Sequence, residues 1–130
     1  MHCEIPLGQE GKEAQVVTYQ DTAASFGSGL VEVYATPAMA ALMEKTCLLS
    51  ILPFLPEGYG TVGTRLALTH TRATPIGGRV TCTSKLIERD RRRLVFEVQA
   101  EDERGRIGEG THERFIIEVD PFMEKVRSAQ

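Results

Sequence analysis

Three side chains in this sequence make up the set that acyl transfer needs: the hydroxyl of Thr36, the carboxylate of Glu44 and the imidazole of His70. A hydroxyl becomes a useful nucleophile only beside a base, and an imidazole oriented by an acid is the usual base. Glu44 is the only acid between Val33 and Pro53, within an otherwise apolar run. A carboxylate in apolar surroundings is paired, exposed at a groove, or raised in pKa until it can act as a base near neutral pH. The plainer reading puts it on a solvated strip beside Lys45. Thr36 precedes Pro37 and has the form of an N-cap. The positive end of a helix dipole would also favour negative charge developing beside its hydroxyl. Thr36 lies eight residues before Glu44, two turns back and about 80° around the helix. His70 sits between two threonines in a strand-like run. Spacing alone does not bring the three together.

Two more positions extend the set. Gly63, in Thr61-Val62-Gly63-Thr64, would let a backbone N–H approach a ligand closely, as an oxyanion donor must; otherwise it is an ordinary strand-start glycine. His112 and Arg114 share a strand face by alternation and suit packing or a salt bridge. The run Arg89-Asp90-Arg91-Arg92-Arg93 could hold phosphates, but it reads better as a solvated hairpin tip.

The elements that must position these groups follow from periodicity. With Thr36 as cap and Pro37 at the first helical position, residues 38–51 are rich in helix formers. Met39, Leu42, Met43, Thr46, Cys47, Leu49 and Ser50 recur at three and four spacing. Only Glu44 and Lys45 are charged, so the helix is expected to be buried on several sides. Pro53 and Pro56 end it. A weak alternation predicts a strand over 13–19, and 23–29 is expected to be irregular. Beyond the helix the period changes to two. Strands are predicted over 62–71, 80–87, 94–100 and 107–119, the last with Phe115, Ile117 and Val119 on one face. Gly77-Gly78 and the 89–92 and 103–106 segments are the turns. Gly108 and Gly110 predict a bulge or a close backbone approach. Short turns between consecutive strands predict an antiparallel meander.

One buried helix and one antiparallel sheet give a two-layer α+β domain with the sheet curled around the helix, the hotdog arrangement, over 1–130. Such a sheet leaves an open edge and an apolar groove. Pairing two copies edge to edge removes both, so a homodimer, or a higher oligomer built from it, is expected.

Composition narrows the function classes. Hydrophobic residues make up 42% and charged residues 25%, enough for a packed core. The net charge of -3 lacks the basic field of a nucleic-acid binder. Cys3, Cys47 and Cys82 are odd in number and far apart, which argues for reduced thiols and against a zinc site or disulfide framework. Met1-His2-Cys3-Glu4-Ile5-Pro6 does not have the pattern of a signal peptide. The apolar run 47–55 is short and broken by Pro53, so no membrane association is expected. A cytoplasmic location follows as the default.

Taken as a set, several motifs resemble the fluoroacetyl-CoA thioesterase family of hotdog proteins. They are Glu32-Val33-Tyr34-Ala35-Thr36, Leu42-Met43-Glu44, Val62-Gly63-Thr64, Leu68-Thr69-His70-Thr71, Ala73-Thr74-Pro75, Gly110-Thr111-His112-Glu113-Arg114 and Lys125-Val126-Arg127. The resemblance covers 31–127. It implies hydrolysis of an acyl-CoA thioester with no metal or cofactor, coenzyme A being part of the substrate. It implies that Thr36, Glu44 and His70 are catalytic, that Gly63 stabilises the oxyanion, and that Arg114 lies near the substrate. The family's specialised enzyme carries an aromatic lid where this chain reads Phe26-Gly27-Ser28-Gly29-Leu30, with Gly27 and Leu30 at the lid positions. That departure implies a general short- or medium-chain acyl-CoA substrate. Two other readings fit the same fold. One is an acyl-CoA hydratase or dehydratase, which usually carries a histidine on or near the central helix, where this chain has none. The other is a non-catalytic acyl-CoA-binding module.

Overall fold

A computed structural model describes residues 3–129; Met1 and His2, read above as part of the N-terminal stretch, and Gln130 lie outside the described residues. The chain runs through β1 (Glu10–Val16), a short helix α1 (Ala23–Phe26) and the long helix α2 (Thr36–Ile51). Four strands follow, β2 (Tyr59–His70), β3 (Arg79–Asp90), β4 (Arg93–Asp102) and β5 (Gly105–Glu118), and then α3 (Val119–Ser128). The strands form one antiparallel sheet in the order β1-β3-β4-β5-β2. This is the hotdog arrangement expected from the sequence.

Strict alternation decides which face each central strand buries. Val80, Cys82, Ser84 and Leu86 of β3, and Leu94, Phe96, Val98 and Ala100 of β4, all point inward. They meet Met39, Met43, Cys47 and Ile51 of α2, which are completely buried. Burying a side chain of this size is worth about 1.5–3 kcal/mol, so this contact is the main source of stability. The stretch Thr36–Phe54 is apolar and long enough to cross a membrane by length and composition alone. Here it is the core helix under the sheet.

Glycine lets β5 approach its neighbour. A Cβ on Gly108 would lie 2.5 Å from the Thr69 carbonyl oxygen, and one on Gly110 would lie 2.2 Å from that of Ala67. The expected close approach is therefore an approach to the β2 backbone.

Several expectations need correcting. The meander holds for β3-β4-β5 only. β2 crosses over to the far side of β5, and β1 pairs with β3. The first strand is Glu10–Val16 rather than 13–19, and 23–29 contains a helical turn closed by Gly27 at φ 76°. Thr36 is not the N-cap: Ala35 holds that position and Thr36 is already helical, leaving its hydroxyl free for another partner. Within one chain α2 is buried on one face, not several. Leu49 remains 38% exposed and Leu52, just past the helix end, 42% exposed, and Ala41 and Glu44 are exposed as well. The last strand stops at Glu118, and α3 was not expected. Its outward row, Phe115 and Ile117, is not the core face; His112, Arg114 and Ile116 are buried instead. The apolar row had pointed the wrong way because the buried face of β5 carries the polar residues of the site.

Candidate active site

Thr36 enters from the first turn of α2 and His70 from the last residue of β2. The Thr36 hydroxyl and His70 Nδ1 lie 2.8 Å apart. Nδ1 accepts the hydroxyl proton in the tautomer that is protonated on Nε2. Nε2 is buried with no hydrogen-bond partner among the described residues. The ring packs edge-on against Tyr34 at 6.3 Å between centroids. Burial lowers the His70 pKa, and the nearby Arg72 backbone offsets part of that drop. The result is a neutral imidazole against a hydroxyl, at the positive end of a helix. The pair lines a cleft of about 290 Å³ together with Ser28, Val33, Thr71 and Arg72.

A second cluster lies on the inner face of β5 and β2. Arg114 is 7% exposed. Its Nε donates to the Thr61 hydroxyl at 2.7 Å, and its Nη2 to the Thr61 carbonyl oxygen at 3.0 Å. Its Nη1 faces His112 Nε2 at 3.1 Å, and His112 Nδ1 faces the Arg65 carbonyl oxygen at 2.8 Å. A guanidinium only donates and a carbonyl only accepts, so His112 is the neutral Nδ1–H tautomer. Its pKa is lowered by burial and, more weakly, by Arg114, while the Arg65 carbonyl and Glu44 pull the other way. Burial also lowers the pKa of Arg114, opposed by the charge of Glu44 and by Cys47.

Gly63 completes this cluster. A Cβ there would lie 3.2 Å from His112 Cε1 and 3.4 Å from Arg114 Nη1. The β2–β5 register slips between Gly63 and Arg65, so the backbone bulges next to the glycine. Glu44 is exposed on α2, and its charge reaches Arg114 and His112. Among the described residues, no carboxylate comes within ion-pair distance of Arg114.

Within one chain, then, the structure joins Thr36 with His70, and Gly63 with Arg114, and sets Glu44 beside the second group. It does not join Thr36 with Glu44. Eight residues of helix separate them by about 12 Å along the axis. The chain presents two separate clusters.

Sequence reasoning left His112 as a packing residue and passed over Thr61, its neighbour in the Arg114 cluster. The alternation of 61 with 63, and of 112 with 114, was the available signal. Three arginines of the run are engaged structurally. Arg93 pairs with Glu113 at 2.5 Å and Glu88 at 3.1 Å, Arg89 donates to the Ile5 carbonyl oxygen, and Arg92 lies over the Tyr59 ring. Cys3, Cys47 and Cys82 are free thiols. Among the described residues no group of three or more side chains is placed to ligate a metal.

The chain is similar to known proteins in sequence and in fold. The sequence profile of the fluoroacetyl-CoA-specific thioesterase family, FlK, matches residues 17–120. The fluoroacetyl-CoA thioesterase of Streptantibioticus cattleyicolor is 46% identical over 96 residues, 74% of this chain and 69% of that protein. A threonine-to-serine variant of the fluoroacetyl-CoA enzyme FlK, solved in complex with acetyl-CoA, superposes with a TM-score of 0.92. It is 36% identical, with 97% of this chain and 99% of that chain covered. A Thermus thermophilus thioesterase superfamily member superposes at 0.87 with 30% identity over 97% of this chain and 96% of its own.

Proposed function

The chain belongs to the fluoroacetyl-CoA-specific thioesterase family, and on that premise we propose that it hydrolyses an acyl-CoA thioester to the free acid and coenzyme A. The observation that carries this reading is the 2.8 Å contact between the Thr36 hydroxyl and the half-buried, neutral imidazole of His70. Burial that disfavours the imidazolium keeps a base ready at neutral pH.

In this reading the working unit is a homodimer. β2 is a twelve-residue edge strand with its outer side unpaired. An open edge of that length invites a second copy. Two-fold pairing of β2 with β2 would also cover the exposed second face of α2. It would bring the Thr36–His70 half-site of one chain toward the Glu44, Gly63 and Arg114 half-site of its partner. An antiparallel partner strand is the simplest way to unite groups that one chain holds about 12 Å apart.

The chemistry follows from the groups present. Glu44, as base, takes a proton from water, whose oxygen bonds to the carbonyl carbon; alternatively, the Thr36 hydroxyl attacks after passing its proton to His70 Nδ1. The Gly63 N–H faces the developing oxyanion. Arg114, held by Thr61 and His112, adds positive charge beside Glu44. The C–S bond breaks, and the departing thiolate takes its proton from the group that accepted one, the Glu44 carboxyl in the water route or the His70 imidazolium in the Thr36 route. If an acyl-enzyme forms on Thr36, water releases it by the same route.

The acyl group is short or medium in this reading. Leu30 is 97% exposed and Gly27 carries no side chain, so neither closes an aromatic lid over the Thr36 cleft. The test is free-thiol release from acyl-CoAs of increasing chain length, with wild type beside His70→Ala. The substitution should cut kcat/KM by about two to four powers of ten in a folded protein. Near-normal turnover in that variant would remove His70 from the mechanism.

A further inference from the structure

Both halves of the Thr36–His70 pair are anchored by one buried carboxylate that touches neither of them. Asp102 ends β4, and its side chain is 3% exposed. It accepts from Arg72 Nη2 at 2.6 Å, from the Thr74 hydroxyl at 2.7 Å and from the Arg104 backbone N–H at 2.8 Å. Arg72 also donates to the Gly105 carbonyl oxygen at 2.8 Å. These bonds fasten the 71–75 segment, which leaves His70 and turns toward β3, onto the β4–β5 hairpin. Thr71 is fixed at the other end, its N–H donating to the Ile107 carbonyl oxygen at 2.8 Å.

The same segment holds the stretch that leads into Thr36. The Tyr34 N–H donates to the Thr74 carbonyl oxygen at 2.8 Å, and Val33 bridges to Pro75. Tyr34 is two residues before Thr36, and Arg72 two residues after His70. The hydroxyl and the imidazole therefore reach each other from two chain segments that share one clamp. Arg72 further lines the cleft in which the pair sits.

We propose that Asp102 is a positioning residue for the Thr36–His70 pair, fixing the 71–75 segment so that hydroxyl and ring nitrogen meet at hydrogen-bond distance. The proposal rests on the thioesterase reading for its kinetic consequence but not for its geometry. A carboxylate with three donors, removed from water, is stiffer than a solvated loop contact. Misplacing reacting groups by about 1 Å costs about a hundredfold in rate. Asp102 is not among the residues that line the Thr36–His70 cleft, so substrate affinity should change little with it.

The experiment compares wild type, Asp102→Asn and Thr74→Val as full-length proteins. Asp102→Asn keeps the shape but removes the charge that Arg72 pairs with. Thr74→Val removes the threonine donor with little change in volume, and it decides the matter should Asp102→Asn fail to fold. Expected are a fall in kcat of about ten- to a hundredfold for Asp102→Asn and a smaller fall for Thr74→Val, with KM within about threefold. The imidazole ¹⁵N–¹H signals of His70, assigned by their loss in His70→Ala, should shift in both variants. Folded variants with wild-type kcat and unmoved His70 signals would overturn the proposal. So would a raised KM with unchanged kcat, which would place Asp102 in substrate binding. Should wild type release thiol from no acyl-CoA, the thioesterase reading fails by itself. The ring signals then decide, and unmoved signals would overturn the positioning role.

Discussion

Gly63→Ala probes the second half-site by the smallest change available. The added methyl would meet His112 Cε1 at 3.2 Å, Arg114 Nη1 at 3.4 Å and His112 Nε2 at 3.7 Å. Gly63 has no positive φ, so alanine brings no backbone strain. The cost is steric, because both neighbours are buried and hydrogen-bonded and must yield by a few tenths of an ångström. Overpacking costs about 1–3 kcal/mol, and one tight contact belongs near the lower end, about 1 kcal/mol. For a domain of this size that is a fall in Tm of about 3–6 °C. The kinetic effect should be larger. Losing an oxyanion donor outright costs about 10²–10³ in kcat. A donor displaced by a fraction of an ångström should cost about tenfold. Gly60→Ala is the control, since its methyl would sit at an ordinary 3.5 Å from Val119 Cγ2 and should change neither quantity. Thermal unfolding and thiol-release kinetics read the two effects separately. A variant destabilised as expected but with kcat within twofold of wild type would show that Gly63 is only a packing glycine. Unchanged stability would refute the contact geometry itself.

Burial lowers the pKa of both His70 and His112 from 6.5. The acid limb of kcat/KM should therefore bend below pH 6.5, and a bend at or above that value would contradict a partly desolvated His70 base. The unfolded chain takes up protons that the folded histidines refuse, so their stabilising contribution is complete above pH 6.5 and lost as the pH falls from there through the folded values. Asp102 and Glu113 are held below the usual carboxylate range, Asp102 because Arg72, Thr74 and the Arg104 N–H outweigh its burial, and Glu113 by Thr64 and Arg93. Their loss should follow only below about pH 4; a Tm that stays level from pH 7 to 5 would refute the histidine part. Sedimentation equilibrium should give at least twice the 14.4 kDa of one chain, and a monomer would contradict the paired-edge assembly.

Much of the fold was legible because periodicity reports burial directly. The shift from three-and-four spacing in 38–51 to alternation in β3 and β4 located the helix and the central strands. The failures have physical causes. Strand order depends on long-range pairing, which local pattern does not encode, so the crossover of β2 to β5 was invisible. β5 misled because its inner face carries His112 and Arg114, polar groups whose burial is met by each other, by Thr61 and by the Arg65 carbonyl. Val119 to Ser128 mixes Pro121 with charges on a short segment and gave no clear helical signal. At the site, residue types picked out Thr36 and His70, and the structure joins them. Their partnership with Glu44 was not legible in the sequence, and one chain does not supply it. Asp102 was hidden for another reason: a carboxylate before a charged turn looks solvated until Arg72 and Thr74 are seen to close over it.

The most direct test of the account is thiol release by Thr36→Val and Glu44→Ala, each alone and then as a re-equilibrated mixture, beside wild type on the same acyl-CoA. If each site takes Thr36 from one chain and Glu44 from its partner, a mixed dimer has one doubly substituted site and one intact site. The account predicts turnover by wild type, loss of about 10² or more in each variant alone, and recovery toward about a quarter of wild-type activity on mixing. No recovery in verified mixed dimers would contradict the shared site, and no thiol release by wild type from any acyl-CoA would contradict the thioesterase itself.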